Sequence, residues 1–143
     1  MTNINIVILL AANPDISKAV NEPDIDFKQG TVLTQIVLES MRLAKVSRLI
    51  YASGSGVYGD IGNKRLDENY SPMQPISTYG ASKLACEALI SSYSYMFDIK
   101  ASALRFGNVV GGRQTHGVGY DFIRKLINNP YTISVMGNGS QSK

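Results

Sequence analysis

Apolar residues gather in short runs separated by polar stretches that carry glycine and proline, and the spacing within each run predicts its geometry. Residues 5–12 hold Ile6, Val7, Ile8, Leu9 and Leu10 without interruption, as expected of a strand buried on both faces in a parallel sheet. Small residues and a proline, Ala11-Ala12-Asn13-Pro14-Asp15, then turn the chain. A polar linker over 16–26 leads to Leu33, Val37, Met41 and Ala44, whose spacing predicts a crossover helix over 31–46. Leu49-Ile50-Tyr51-Ala52 marks a second buried strand over 48–53, which completes a right-handed β-helix-β unit. After a long loop over 54–77, Thr78 is the expected N-cap of a helix over 79–97 that buries Ala85, Leu89 and Met96. A third strand over 101–106, a helix over 117–129, a short strand over 132–136 and a turn over 137–141 finish the chain.

With 143 residues and 44% apolar positions, the chain suits one ordinary domain or part of one. A net charge of +3 spread over scattered basic residues makes no nucleic-acid stripe, yet it suits an anionic small substrate. One cysteine, Cys86, and one histidine, His116, exclude an intrachain disulfide and a Cys/His zinc site, so no metal is expected and a reducing, cytoplasmic setting is. The apolar run at 4–12 is too short to span a bilayer, and no membrane partner is expected. If that strand is a sheet edge it can pair with another chain, which makes a homodimer an expected assembly.

Chemistry concentrates at Thr78-Tyr79-Gly80-Ala81-Ser82-Lys83, where a phenol and an ammonium four positions apart share a helix face. A tyrosine ionises near pH 10, so bringing it to neutrality takes roughly 4 kcal/mol of preferential anion stabilisation. Lys83 and a cationic cofactor ring together can supply it. Gly54-Ser55-Gly56-Val57-Tyr58-Gly59 spells the G-x-G-x-x-G dinucleotide fingerprint after a strand, but Gly62, Pro72 and Pro75 follow where the fingerprint needs a helix N-terminus. The stretch is therefore read as the start of a long loop, of the kind that often carries substrate contacts.

Five stretches in order resemble the extended short-chain dehydrogenase/reductase superfamily, the NAD-dependent epimerases and dehydratases, and most closely its archaeal UDP-glucose 4-epimerase-like members. They are residues 8–15, Ser53 with Val57-Tyr58-Gly59, residues 75–83, Arg105-Phe106-Gly107-Asn108-Val109-Val110-Gly111, and residues 137–141. The resemblance implies an α/β chain forming part of a doubly wound NAD(P)-binding Rossmann fold with a parallel sheet. It also implies that the first strands, with the true phosphate loop, and most of the C-terminal substrate domain lie outside these residues. Residues 1–112 would be the second half of the Rossmann unit, and 113–143 the start of the substrate-binding region.

By the same resemblance the partners are NAD and a UDP-sugar, and the reaction is interconversion of UDP-glucose and UDP-galactose. Tyr79 would be the acid/base and Lys83 its partner on the cofactor ribose, with Ser53 and Ser55 as candidate catalytic hydroxyls. Ala11, Ala12 and Phe106 would line the cofactor alongside Tyr79 and Lys83, while Gly54, Ser55, Tyr58 and Asn108 would meet the substrate. Three features depart from the family: Gly54 stands where a catalytic serine or threonine is usual, Phe27 replaces a helix asparagine, and the phosphate loop is missing. Dehydratases carry an Asp-Glu pair where this chain has Ser55-Gly56, which makes a dehydratase or reductase the alternative enzyme. A non-catalytic nucleotide-sugar-binding remnant is the alternative from another class.

Overall fold

The computed structural model describes residues 4–62, 64–115, 117–135 and 137. They form two compact units, Met1–Phe106 and Gly107–Lys143.

The first unit is built on a three-stranded parallel sheet of β1 (Val7–Leu9), β2 (Arg48–Gly54) and β3 (Lys100–Phe106), in the order β1-β2-β3. Ile8 pairs with Ile50, which pairs with Ser102, and Tyr51 lies between Leu9 and Ala103. The crossovers carry α1 (Leu33–Leu43) and α2 (Thr78–Phe97). A π-helical stretch, Phe27–Val32, runs directly into α1, and a 3₁₀ turn, Ile16–Val20, occupies the expected polar linker.

Two crossovers of the same hand that move in one direction across a sheet put both helices on the same face. The core accordingly lies between one sheet face and these helices: Leu9, Leu49 and Tyr51 pack with Leu38, Met41, Cys86, Ile90 and Ile99. The opposite face leaves Ile8, Leu10, Leu104 and Phe106 exposed. This corrects the expectation that the first strand is buried on both faces and runs over 5–12, because the described residues place cover on one side of it only.

The helix faces also differ from the periodic reading. α1 buries Thr34, Leu38 and Met41, while Ala44 is exposed. α2 buries Gly80, Ser82, Lys83, Cys86 and Ile90, and Met96, expected inside, is 67% exposed. The physical reason lies at the helix start, where polar Ser82 and Lys83 turn inward to make buried hydrogen bonds and set the rotation of every later turn.

In the second unit α3 (Val118–Asn128) is closed by hydrogen bonds of its own loop, Lys125 Nζ to the Ser134 carbonyl at 2.8 Å and Asn129 to the Thr132 hydroxyl at 2.8 Å. Residues 132–135 form no strand, and Met136 and residues 138–141 of the expected strand and turn lie outside the described residues. Among the described residues no helix is long and apolar enough to cross a membrane.

The core assignment has a direct test in chemical denaturation. Leu38→Ala, at a fully buried position, should cost roughly 2–5 kcal/mol, whereas Met96→Ala should stay within about 0.5 kcal/mol of the parent.

Candidate active site

α2 begins with Ser77, whose hydroxyl accepts the Gly80 amide at 3.0 Å from an extended backbone (φ −139). Ser77 is thus the N-cap, and Thr78, expected in that role, is the first helical residue and donates its hydroxyl to Asp26. The first turn lies directly on the chain leaving β2: a methyl group on Gly80 would overlap the Gly56 carbonyl oxygen. That close approach brings Tyr79 beside Gly54. A Cβ added to Gly54 would stand 3.8 Å from the Tyr79 hydroxyl, and the Gly54 backbone is extended (φ −158), so any residue fits there.

Lys83, one turn further on, is 5% exposed. Its ammonium donates to the Ala52 carbonyl at 2.6 Å and lies 4.9 Å from the centre of the Tyr51 ring and 5.5 Å from that of Tyr79. Burial holds this ammonium below the ordinary lysine range. Burial first, and the charge of Asp26 second, hold the Tyr79 phenol above the ordinary tyrosine value. The lowering expected from the sequence called for Lys83 and a cationic cofactor ring together, and in the folded chain Lys83 gives its short hydrogen bond to a backbone carbonyl.

Ser53 is committed to another partner. Its hydroxyl donates to Glu87 Oε1 at 2.5 Å, and the next residue, Gly54, is the one that comes up against the Tyr79 hydroxyl. Ser55, half-buried, opens the 3₁₀ turn Ser55–Tyr58. Glu87 also takes a two-pronged ion pair from Arg105, with Nη2 to Oε2 at 2.8 Å and Nε within 3.2 Å of both oxygens. Glu87 pushes the guanidinium still further up. Arg105 Nη1 donates to the Tyr58 hydroxyl and the Glu68 carbonyl, each at 3.0 Å, and the guanidinium stacks on the Tyr58 ring at 5.0 Å. Tyr58 is thereby held in place together with Phe106 around a cavity of about 440 Å³ on the β3 side.

Glu87 was missed in the sequence, although Tyr79, Lys83 and Glu87 recur at four-residue spacing along one helix face, a signal that could have found it. Asp26 and Asn13 gave no local signal. Ala11 and Ala12 line a cavity of about 350 Å³ at the exit of β1 with Lys28, Gln29 and Leu33. Asn108 is exposed and belongs to the second unit. The G-x-G-x-x-G stretch itself forms the 3₁₀ turn Ser55–Tyr58 and continues into a loop pinned by a bridge between Gly59 and Gln74. Among the described residues no helix begins between this turn and α2. Among the described residues no cluster of His, Cys, Asp or Glu could hold a metal ion.

A parallel sheet with helical crossovers, and a helix-borne tyrosine and lysine beside the C-terminal ends of its strands, is a Rossmann-type α/β arrangement with its candidate site at the edge where such sheets bind ligands. The model of the NAD dependent epimerase/dehydratase family matches residues 1–143, and the chain belongs to that family. A relative from Methanocaldococcus jannaschii, provisionally named UDP-glucose 4-epimerase, is 34% identical over 146 residues, which cover 99% of this chain and 47% of that protein. The chain thus spans about half the length of the curated relatives it matches. A crystal structure of a UDP-galactose 4-epimerase superposes with a TM-score of 0.81 at 41% identity over 90% of this chain and 43% of its own. A UDP-glucuronic acid 4-epimerase from Bacillus cereus, solved with UDP-glucuronic acid and NAD, superposes with a TM-score of 0.82 at 29% identity, covering 96% of this chain and 44% of its own.

The ion pair beneath Tyr58 has a measurable weight. Glu87→Ala leaves the Arg105 charge in a largely buried place without its partner (side chains 17% and 11% exposed), and thermal or urea unfolding should report a loss of about 3 kcal/mol.

Proposed function

We propose that this chain forms part of the active site of an NAD-dependent nucleotide-sugar 4-epimerase acting on UDP-glucose and UDP-galactose, with Tyr79 as its acid/base. The observation that carries the reading is the placement of the Tyr79 hydroxyl against the β2 exit at Gly54, with the buried Lys83 ammonium on the same helix face. The cofactor has a fitting place. Ala11 and Ala12 present little side chain to the cavity at the β1 exit, which leaves room for the flat rings and ribose of a dinucleotide. Ala11, Ala12, Lys83 and Phe106 would hold it, and when bound NAD takes up and gives back a hydride.

The chain's own residues then handle the proton. Tyr79 removes it from the sugar 4-hydroxyl and returns it, and for the first of these it must be a phenolate. Lys83 supplies positive charge in a dry environment, where charge acts most strongly. Tyr58, clamped by Arg105, offers a ring edge and a hydroxyl to the sugar side. Gly54 offers no hydroxyl and Ser53 is committed to Glu87, so no side chain of β2 is placed to relay the proton, and Ser55 at the start of the following turn is the remaining candidate hydroxyl of this stretch.

That missing hydroxyl also favours one second reading, a nucleotide-sugar-binding protein without turnover. Binding of both UDP-glucose and NAD in calorimetry with no conversion would select it. A cytoplasmic setting is supported by a single, buried thiol at Cys86.

The direct measurement is conversion of UDP-glucose to UDP-galactose with NAD by the protein that carries these residues. Tyr79→Phe should abolish it. Gly54→Ser, for which the site has room, should raise turnover toward the factor of roughly 10² to 10⁴ that a positioned proton-transfer group contributes. Conversion that is indifferent to both changes would remove Tyr79 and position 54 from the chemistry.

A further inference from the structure

Asp26 belongs to none of the sequence motifs, yet it is 2% exposed and lies immediately before the π-helical stretch Phe27–Val32. Its carboxylate is held from two directions. Asn13 Nδ2 donates to Oδ1 at 2.9 Å, and the Thr78 hydroxyl donates to Oδ2 at 2.7 Å. Its main-chain carbonyl accepts from Ser82 Oγ at 2.7 Å, and that hydroxyl in turn lies 3.0 Å from Thr31 Oγ1. One side chain therefore joins the residue after the Ala11-Ala12 cavity lining to the residue before Tyr79. Phe27, at the position where asparagine was expected, is 58% exposed and makes no such link.

The donors leave little choice of side chain. Asn13 is fixed in orientation, because its Oδ1 accepts the Asp15 amide at 3.0 Å while its Nδ2 also reaches the Asp15 carbonyl at 2.9 Å. Whatever faces Nδ2 must accept a hydrogen bond. A hydroxyl such as that of Thr78 can turn to donate or accept. Burying a carboxylate is tolerated when its oxygens are satisfied, and here the two donors come from distant segments, so the side chain that accepts them ties the segments together.

We propose that Asp26 is a positioning residue for Tyr79: its buried carboxylate locks the first turn of α2 to the exit of β1 and presents a fixed negative charge to the phenol. The proposal rests on the reading of Tyr79 as the acid/base. The groups that face the phenol are Asp26 from the segment before α1, Lys83 from its own helix and Tyr51 from β2, with Cys86 and Glu87 acting on Tyr51 behind it. Of these charges, that of Asp26 works with burial to keep the proton on Tyr79. Removing it must lower the pH at which the phenol ionises, which is the sign the test reads.

Asp26→Asn removes the charge and keeps the shape, with its carbonyl facing Asn13 and its amide donating to a turned Thr78 hydroxyl. The tyrosinate ultraviolet absorbance is followed through an alkaline titration of the protein and of this variant, each against its Tyr79→Phe counterpart, so that the difference isolates one phenol. The expected result is a Tyr79 midpoint at lower pH in Asp26→Asn than in the parent. Equal midpoints in a variant with the parent's circular dichroism would overturn the proposal. A second reading needs no change at position 26: the Asp26 carboxyl carbon resonance should move as Tyr79 ionises and lose that step in Tyr79→Phe, and a resonance blind to Tyr79 would also overturn it. Failure of sugar conversion with the midpoint shift intact would remove the acid/base reading alone. Intact conversion with equal midpoints would remove the role of Asp26 alone.

Discussion

The hydrogen bond from the Lys83 ammonium to the Ala52 carbonyl decides how the helix and the sheet meet. A charge taken out of water must find an acceptor or give up its proton, and here the acceptor is a main-chain oxygen of β2, whose position the strand ladder already fixes. α2 has apolar residues most of the way round, from Leu84 and Ala85 to Ala88 and Leu89, so burial of apolar area alone would allow several rotations. One buried ammonium selects among them. With Lys83 inward, Cys86 and Ile90 follow into the core, Tyr79 comes to the sheet edge one turn earlier, and Met96 is carried out to solvent.

The same rotation sets the far flank of the site. Glu87, one turn beyond Lys83, faces β2 and β3 and gathers Ser53 and Arg105. Arg105 carries the constraint on to Tyr58 and the Glu68 carbonyl, so the loop after β2 is held by charge on one side and by the close contact of Gly56 with Gly80 on the other. Neighbouring residues of β2 then have different partners. The Ser53 hydroxyl is taken up by the carboxylate, and the Gly54 position, which has no hydroxyl, meets the phenol.

What could be read in the sequence was what local spacing specifies. The Tyr79-Lys83 interval, the second and third strands, and the loop after Gly54-Ser55-Gly56 are properties of a few adjacent residues, and the folded chain has them where the spacing put them. Asp26 was illegible because its partners, Asn13 and Thr78, come from distant parts of the chain, and nothing near Asp26 distinguishes a buried carboxylate from a solvated one. The cap was ambiguous for a smaller reason: Ser77 and Thr78 are adjacent hydroxyls, and only the demand of Asp26 for a donor assigns the second away from the helix amides. The exposed face of β1 could not be foreseen from its composition, since an uninterrupted apolar run reads the same whether one face or both are covered.

Tyr79 thus stands between opposing charges in a place with little water. Burial, and after it the charge of Asp26, hold the phenol above the ordinary tyrosine value, while the Lys83 ammonium beside it is given to a backbone carbonyl. An acid/base works best when its two forms are close in free energy at the working pH, so in the proposed role a further positive charge or donor would have to arrive with the ligands. The same bias holds the proton in place until then. With no hydroxyl at position 54, a phenol in the proposed acid/base role has one neighbour fewer to share a proton with, and transfer through fewer groups tolerates less error in their placement. The ties at Asp26 and Lys83 suit that role, since with fewer groups to pass a proton along more depends on where the remaining one is held.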